Sequence, residues 1–246
     1  MKKERIDKLL AERGFADSRA KAQALVMSGV VLVNERRVEK PSEMVAVDTT
    51  IRIKGDAPEA RYVGRGGLKL EAALHHFDIV PAGWTCLDVG SSTGGFTDCL
   101  LQHLAASVVA LDVGTNQLAW KLRNDPRVDV RENTNARTVG PEDFATKFDI
   151  IVMDVSFISV TKLLGNLREL LKTDGRMIVL IKPQFEVGKG EVGKGGIVRE
   201  AEKHAAVVEK VNDYSESIGL EVVGVTDSPI LGAQGNKEFL ACYCLK

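Results

Sequence analysis

The chain has 246 residues, of which 44% are hydrophobic and 27% charged, and its formal net charge is −1. This is the composition of a globular protein of one or two domains, and it excludes a disordered polymer, a collagen-like rod and a disulfide-stapled miniprotein. No metal-ligand spacing joins the four cysteines to the histidines, no apolar run approaches the roughly 20 residues of a membrane span, and the N-terminus is charged, so the expectation is a reduced, cytoplasmic protein without metal or membrane.

Residues 1–54 predict a self-contained module. Ile6, Leu9 and Leu10 recur at helical spacing, Gly14 ends that turn, and Asp17 or Ser18 caps a second helix through Met27. Gly29 stops it, and Val30 to Val33, Arg37-Val38 and Met44 to Ile53 read as short strands, with a turn at Asn34-Glu35. Residues 55–64 form a short linker that reads as exposed and partly flexible. The body then alternates helices and apolar strands. Helices are expected over Leu68 to Phe77, from the Gly-rich loop to about Leu104, over Ser159 to Leu171 and over Glu200 to Ser217. Strands are expected over Trp84 to Val89, Ser107 to Val113, Val128 to Arg131, Phe148 to Asp154 and Arg176 to Lys182. Two last strands, Glu221 to Thr226 and Glu238 to Leu245, have no helix between them. The pattern predicts an α/β parallel sheet covered on both faces, with an antiparallel hairpin at one edge.

The charge is unevenly spread. Residues 1–54 hold 12 Lys/Arg against 8 Asp/Glu, a net of +4, while the rest hold 21 against 26, a net of −5. A small basic module on a mildly acidic body suggests that the front end meets a polyanion.

The strongest local signal joins the first body strand to a helix: Asp88, then Gly90, Ser91, Ser92, Thr93, Gly94, Gly95 and Phe96. Small residues let a ligand approach the backbone, and the helix start favours an anionic group. A dinucleotide fingerprint would need glycine where Ser92 stands, so a nicotinamide cofactor is disfavoured. Asp112, ending the next strand, is placed to bind ribose hydroxyls, and this pair of acids is the layout for S-adenosylmethionine. The loop Gly188 to Lys194 only superficially matches a phosphate-binding motif, because Gly195 follows where a Ser or Thr would hold magnesium. It reads better as a mobile basic lid. Lys69, Asp154, Lys182 and Glu238 share one rim of the sheet, where a lysine made less basic by a neighbouring cation could take a proton from a ribose hydroxyl.

The motifs Ser18-Arg19-Ala20, Val33-Asn34, Arg65-Gly66-Gly67-Leu68-Lys69-Leu70 and Asp88 to Thr97 resemble those of the TlyA family. So do Asp154-Val155-Ser156-Phe157-Ile158-Ser159, Lys182-Pro183-Gln184-Phe185-Glu186 and Gly235-Asn236-Lys237-Glu238. That family, historically labelled haemolysin, fuses an S-four-type RNA-binding domain to an FtsJ-like methyltransferase. The resemblance implies a Rossmann-like S-adenosylmethionine-dependent methyltransferase domain over residues 65–246, following a small α+β RNA-binding domain over residues 1–54. It further implies 2′-O-methylation of cytidine in ribosomal RNA within ribosomal subunits, through a catalytic tetrad of Lys69, Asp154, Lys182 and Glu238, with Lys182 as the activating lysine. By the same comparison the cofactor would meet Asp88, Gly90 to Phe96, Asp112, Val113, Asn133, Asn135, Ala136 and Asp154. Relatives often carry Arg-x-Trp-Val in the linker, where this chain has Ala60-Arg61-Tyr62-Val63.

Candidate RNA contacts are Arg5, Arg19, Lys21, Arg36, Arg37 and Lys40 in the module, with Arg13 weaker, and Arg65, Lys189 and Lys194 in the body. Few aromatics accompany those of the module, so recognition of RNA shape and phosphates is expected there. Two other classes stay open: a non-catalytic RNA-binding or ribosome-assembly factor, and a cytolysin, which would need an amphipathic cationic or apolar segment not visible in the sequence.

Overall fold

The computed structural model describes residues 3–16, 18–27, 29–53, 61–188, 190–193 and 195–246. Asp17, Lys54, residues 55–60 of the linker, Lys189 and Lys194 lie outside the described residues. The chain divides into two compact units, Met1–Arg61 and Tyr62–Lys246.

The first unit runs β1 (Lys3–Arg5), α1 (Ile6–Glu12), α2 (Arg19–Met27), β2 (Val31–Val33), β3 (Arg36–Arg37), β4 (Met44–Ala46) and β5 (Ile51–Ile53). Ser18 accepts a hydrogen bond from the Lys21 backbone N–H at 3.2 Å, which makes it the cap of the second helix. Asn34 and Glu35 both take positive φ, 48° and 63°, as a two-residue hairpin turn between β2 and β3 requires. Ile6, Leu9, Leu10, Val26, Val31 and Val38 form the core between the helix pair and the short strands.

At the helix start sits Asp7, fully buried. Its carboxylate accepts Arg5 at 2.8 and 3.0 Å, Gln23 at 2.9 Å and Arg19 at 3.1 Å. The Arg5 contact, helped by Gln23 and Arg19, holds this carboxyl well below the usual carboxylate range against the opposing effect of burial. A lowered folded-state value contributes stability that is present above the ordinary carboxylate range and is lost as pH falls. Asp7→Asn should therefore cost the first unit about 2–3 kcal/mol at pH 7, with the gap to wild type closing in acid, as thermal melts across pH will read.

The second unit begins with Tyr62, which the linker reading left exposed. It is instead buried, and its ring lies so close to Gly67 that a Cβ there would fall 2.3 Å from it. Then follow α3 (Gly66–His76), β6 (Thr85–Val89), α4 (Gly95–Gln102), β7 (Ser107–Leu111), α5 (Trp120–Arg123), β8 (Val128–Arg131), β9 (Phe148–Met153) and α6 (Thr161–Arg168). The last elements are β10 (Leu171–Ile181), α7 (Pro183–Glu186), α8 (Ala201–Ser217), β11 (Leu220–Asp227) and β12 (Phe239–Leu245).

The strands form one seven-stranded sheet in the order β11-β12-β10-β9-β6-β7-β8. β10, β9, β6, β7 and β8 are parallel, and β12 inserts antiparallel between β10 and β11. The fold is a Rossmann-like α/β sheet with the hairpin at one edge. Period-2 alternation sends Cys86, Ile150 and Ile178 to the face covered by Leu70 of α3 and Cys99 of α4. Leu87, Ile151 and Val179 go to the face covered by Leu163 and Leu164 of α6 and Val211 of α8. The helix expected through Leu171 stops at Arg168. Leu170 and Leu171 prolong its apolar pattern but are buried in the turn before β10 and at its first residue, and β10 enters the sheet through an irregular register before Arg176.

Candidate active site

Parallel strands end together, so whatever follows β6, β9 and β10 meets on one rim, and β12, running the other way, begins there. After β6 the chain turns sharply. Gly90 has φ +83°, and a Cβ on it would stand 2.5 Å from the Asp154 carbonyl oxygen, so only glycine lets the two backbones approach. Gly94, at φ +96°, starts α4.

The two acids of this region behave differently. Asp88 is fully buried; its Oδ2 accepts the Thr97 hydroxyl at 2.6 Å, and its Oδ1 has no partner among the described residues. Burial pushes its carboxyl up to about 7, opposed by the Thr97 contact and reinforced by the nearby Asp154 and Asp112. Asp112 instead accepts two backbone N–H groups, Ser92 at 2.8 Å and Gly114 at 2.7 Å, and so ties the end of β7 to the turn after β6.

The raised value at Asp88 has a sign. The folded state holds its proton longer than the unfolded chain, so stability is full below the ordinary carboxylate range and declines as pH rises toward about 7. Asp88→Asn should remove that component, flattening the dependence of the melting temperature on pH between 4 and 8.

The four rim residues expected to act together do meet. Lys69, in the first turns of α3, donates to Glu238 Oε2 at 2.6 Å and stands 4.0 Å from Asp154 Oδ2. Lys182, just after β10, contacts Asp154 Oδ1 at 2.6 Å and donates to Ser156 Oγ at 2.9 Å. Asp154 thus bridges two lysines. Lys69, Lys182 and Glu238 are 5%, 8% and 2% exposed, so these charges are desolvated and mutually dependent.

They open onto a cavity of about 710 Å³ that also receives Arg65, Gly90 to Thr93, Gly95 and Phe96. Asp88, Gly94, Asp112, Val113, Asn133, Asn135 and Ala136, expected at the cofactor, do not line it. Val113 is 73% exposed beyond β7, Asn133 has φ +54°, and the Asn135 side chain accepts the Arg137 backbone N–H at 3.0 Å. Sequence reasoning missed several lining residues: Ser156, Phe157, Gln184, Phe185, Gln234 and Asn236. All but Gln234 lie in runs that marked the family, within three residues of Asp154, Lys182 or Glu238, and strand-end position was the signal available for them. Phe157 is 92% exposed with φ +65°, and its ring lies 5.2 Å from that of Phe185.

The expected lid is anchored at both ends. Glu186 accepts Ser159 Oγ at 2.6 Å and the Val160 N–H at 2.8 Å. Farther along, the Asn236 amide accepts the Val198 N–H at 3.1 Å and donates to the Gly196 carbonyl at 2.9 Å.

In the first unit, Arg5 and Arg19 bind Asp7, Arg36 pairs with Glu43, and Arg13 donates to the carbonyls of Val47 and Thr49. The Arg37 guanidinium lies over Gly29, and Lys21 and Lys40 are exposed. Among the described residues no cluster suits a metal ion, and no helix is long and apolar enough to cross a membrane.

Residues 62–244 match the FtsJ-like methyltransferase family and residues 4–51 match the S4 domain. YqxC of Bacillus subtilis is 48% identical over 240 residues, 97% of this chain and 85% of that protein. The 16S/23S rRNA (cytidine-2′-O)-methyltransferase TlyA of Mycobacterium tuberculosis is 45% identical over 235 residues, 96% of this chain and 87% of that one. A hemolysin-labelled solved structure from Streptococcus thermophilus superposes with a TM-score of 0.76 at 43% identity, covering 100% of this chain and 90% of that one. With both domain matches in order along nearly its whole length, the chain belongs to the TlyA family.

Proposed function

We propose that this chain transfers a methyl group from S-adenosylmethionine to the ribose 2′-hydroxyl of cytidine in ribosomal RNA. The observation that carries the reading is the Asp154 carboxylate bridging two buried lysines on the cavity wall beside the Gly90–Phe96 turn. The residues present fit the cofactor. Gly90 admits no side chain, and the small residues Gly90 to Thr93 and Gly95 line the cavity with exposed backbone that a cofactor can approach.

When bound, the cofactor supplies an electrophilic methyl group on a sulfonium. Gly90 to Phe96 would hold it, with Asp112 at its ribose through the lone pairs left by Ser92 and Gly114. Lys182 accepts the 2′-hydroxyl proton while Asp154 fixes its nitrogen. Lys69 and Glu238 hold the target ribose and each other. The exposed Phe157 offers a face on which an unstacked base can lie at the cavity mouth. Residues 1–54 of the first unit are assigned to RNA shape and phosphate binding, and the second unit to methyl transfer.

The test is transfer of radiolabelled methyl to separated small subunits, large subunits and naked ribosomal RNA. Label that resists alkaline cleavage at one cytidine supports the reading. Cofactor binding without label on any ribosomal RNA or particle would overturn the substrate. Failure to bind cofactor at millimolar concentration would leave an RNA-binding factor.

A further inference from the structure

A lysine that acts as a base needs its lone pair aimed, and a flexible four-carbon stem does not aim it. The Lys182 nitrogen is tetrahedral, with Cε at one corner. Asp154 Oδ1 at 2.6 Å and Ser156 Oγ at 2.9 Å occupy two more. The fourth corner is left for the ribose. Two fixed acceptors determine the direction of that corner, whereas one would let the amine turn about the remaining N–H···O axis.

Both acceptors belong to one stretch, 154–156, which is braced on one side against β6 and on the other against the turn that follows Lys182. The Asp154 N–H donates to the Val89 carbonyl at 3.0 Å. Glu186, one turn beyond Lys182, receives Ser159 and Val160 from the same loop as Ser156. Lys210 of α8 in turn donates to the Glu186 carbonyl at 2.8 Å. Between them Phe157 takes φ +65°, a left-handed conformation costly for a large side chain. It reverses the chain immediately after Ser156, with the hydroxyl on Lys182 and the phenyl ring exposed.

We propose that Ser156 is a positioning residue for methyl transfer, the second fixed acceptor that points Lys182 at the ribose hydroxyl. This rests on the reading of Lys182 as the base. The proton balance is unchanged by it: the O–H bond breaks, its proton joins the Lys182 lone pair, and the oxygen pair would form the new bond to the methyl carbon as the carbon–sulfur bond breaks, its electron pair remaining on a neutral thioether sulfur.

The experiment compares wild type, Ser156→Ala, Ser156→Thr and Lys182→Ala in the full chain, measuring kcat and KM for RNA, with cofactor affinity by calorimetry. A hydrogen bond to a charged or charging group corresponds to about a 10- to 100-fold rate effect. Ser156→Ala is expected to lose kcat by that factor with KM and cofactor affinity unchanged, and Ser156→Thr to recover most of it. Unchanged kcat in Ser156→Ala, a change confined to KM, or no rescue by threonine would overturn the proposal. Full activity in Lys182→Ala would instead overturn the underlying assignment of the base.

Discussion

Lys182→Ala is expected to lower methyl transfer by at least about 10²- to 10⁴-fold, the range that a positioned general base contributes. Cofactor affinity and the melting temperature should change little. Loss of this lysine leaves Asp154 with Lys69 at 4.0 Å and with its side chain 22% exposed, so no carboxylate is stranded without a counter-charge. Single-turnover methyl transfer beside calorimetric cofactor binding checks both halves. Activity within tenfold of wild type would remove Lys182 as the base.

Gly232→Ala is expected to be nearly as damaging, although glycine contributes no functional group. A Cβ at this position would lie 1.9 Å from Glu238 Oε1 and 2.4 Å from Glu238 Cδ. Glu238 is 2% exposed, and to make room its carboxylate must swing toward the cavity it lines and off Lys69. Lys69 then keeps Asp154 at 4.0 Å but loses its hydrogen bond to a charged partner, which costs about 1.5–3 kcal/mol. Gly232→Ala should therefore melt earlier and lose methyl transfer about 10²-fold, in parallel with Glu238→Ala. Wild-type activity and melting in Gly232→Ala would show that Glu238 does not need its present position.

The rim was legible because it depends on strand ends. Parallel strands of β-branched and aliphatic residues can be read from apolar runs, and Val89, Met153 and Ile181 close those runs, so Asp154 and Lys182 fall where such folds gather their chemistry. Glu238 follows from the same reasoning applied to the last strand. Short elements were not legible. β1 has three charged residues and no alternation, and it exists because β4 pairs with it through Glu4 and Val45. α5 is four residues long. Pairings across long sequence separations also escape a reading by motif. Asp112 was placed at a ribose, and nothing local to it reveals that Ser92, 20 residues earlier, donates to it. Ser156 lies in a run that marks the family, yet its role depends on Lys182, 26 residues away. Tyr62 looked like linker because it follows the small and polar run 55–60, while its place in the core depends on the absence of a side chain at Gly67.

The pairing of Arg5 and Arg19 with Asp7 alters what the basic module presents to a nucleic acid. A phosphate that approaches these guanidiniums competes with a carboxylate already in place, so binding there exchanges one ion pair for another. Arg36 faces the same choice at Glu43. Counterion release counts only phosphates newly neutralised. The slope of log affinity against log salt should accordingly fall below the number of basic residues in the contact set, and replacing Arg5 should change that slope less than replacing Lys40.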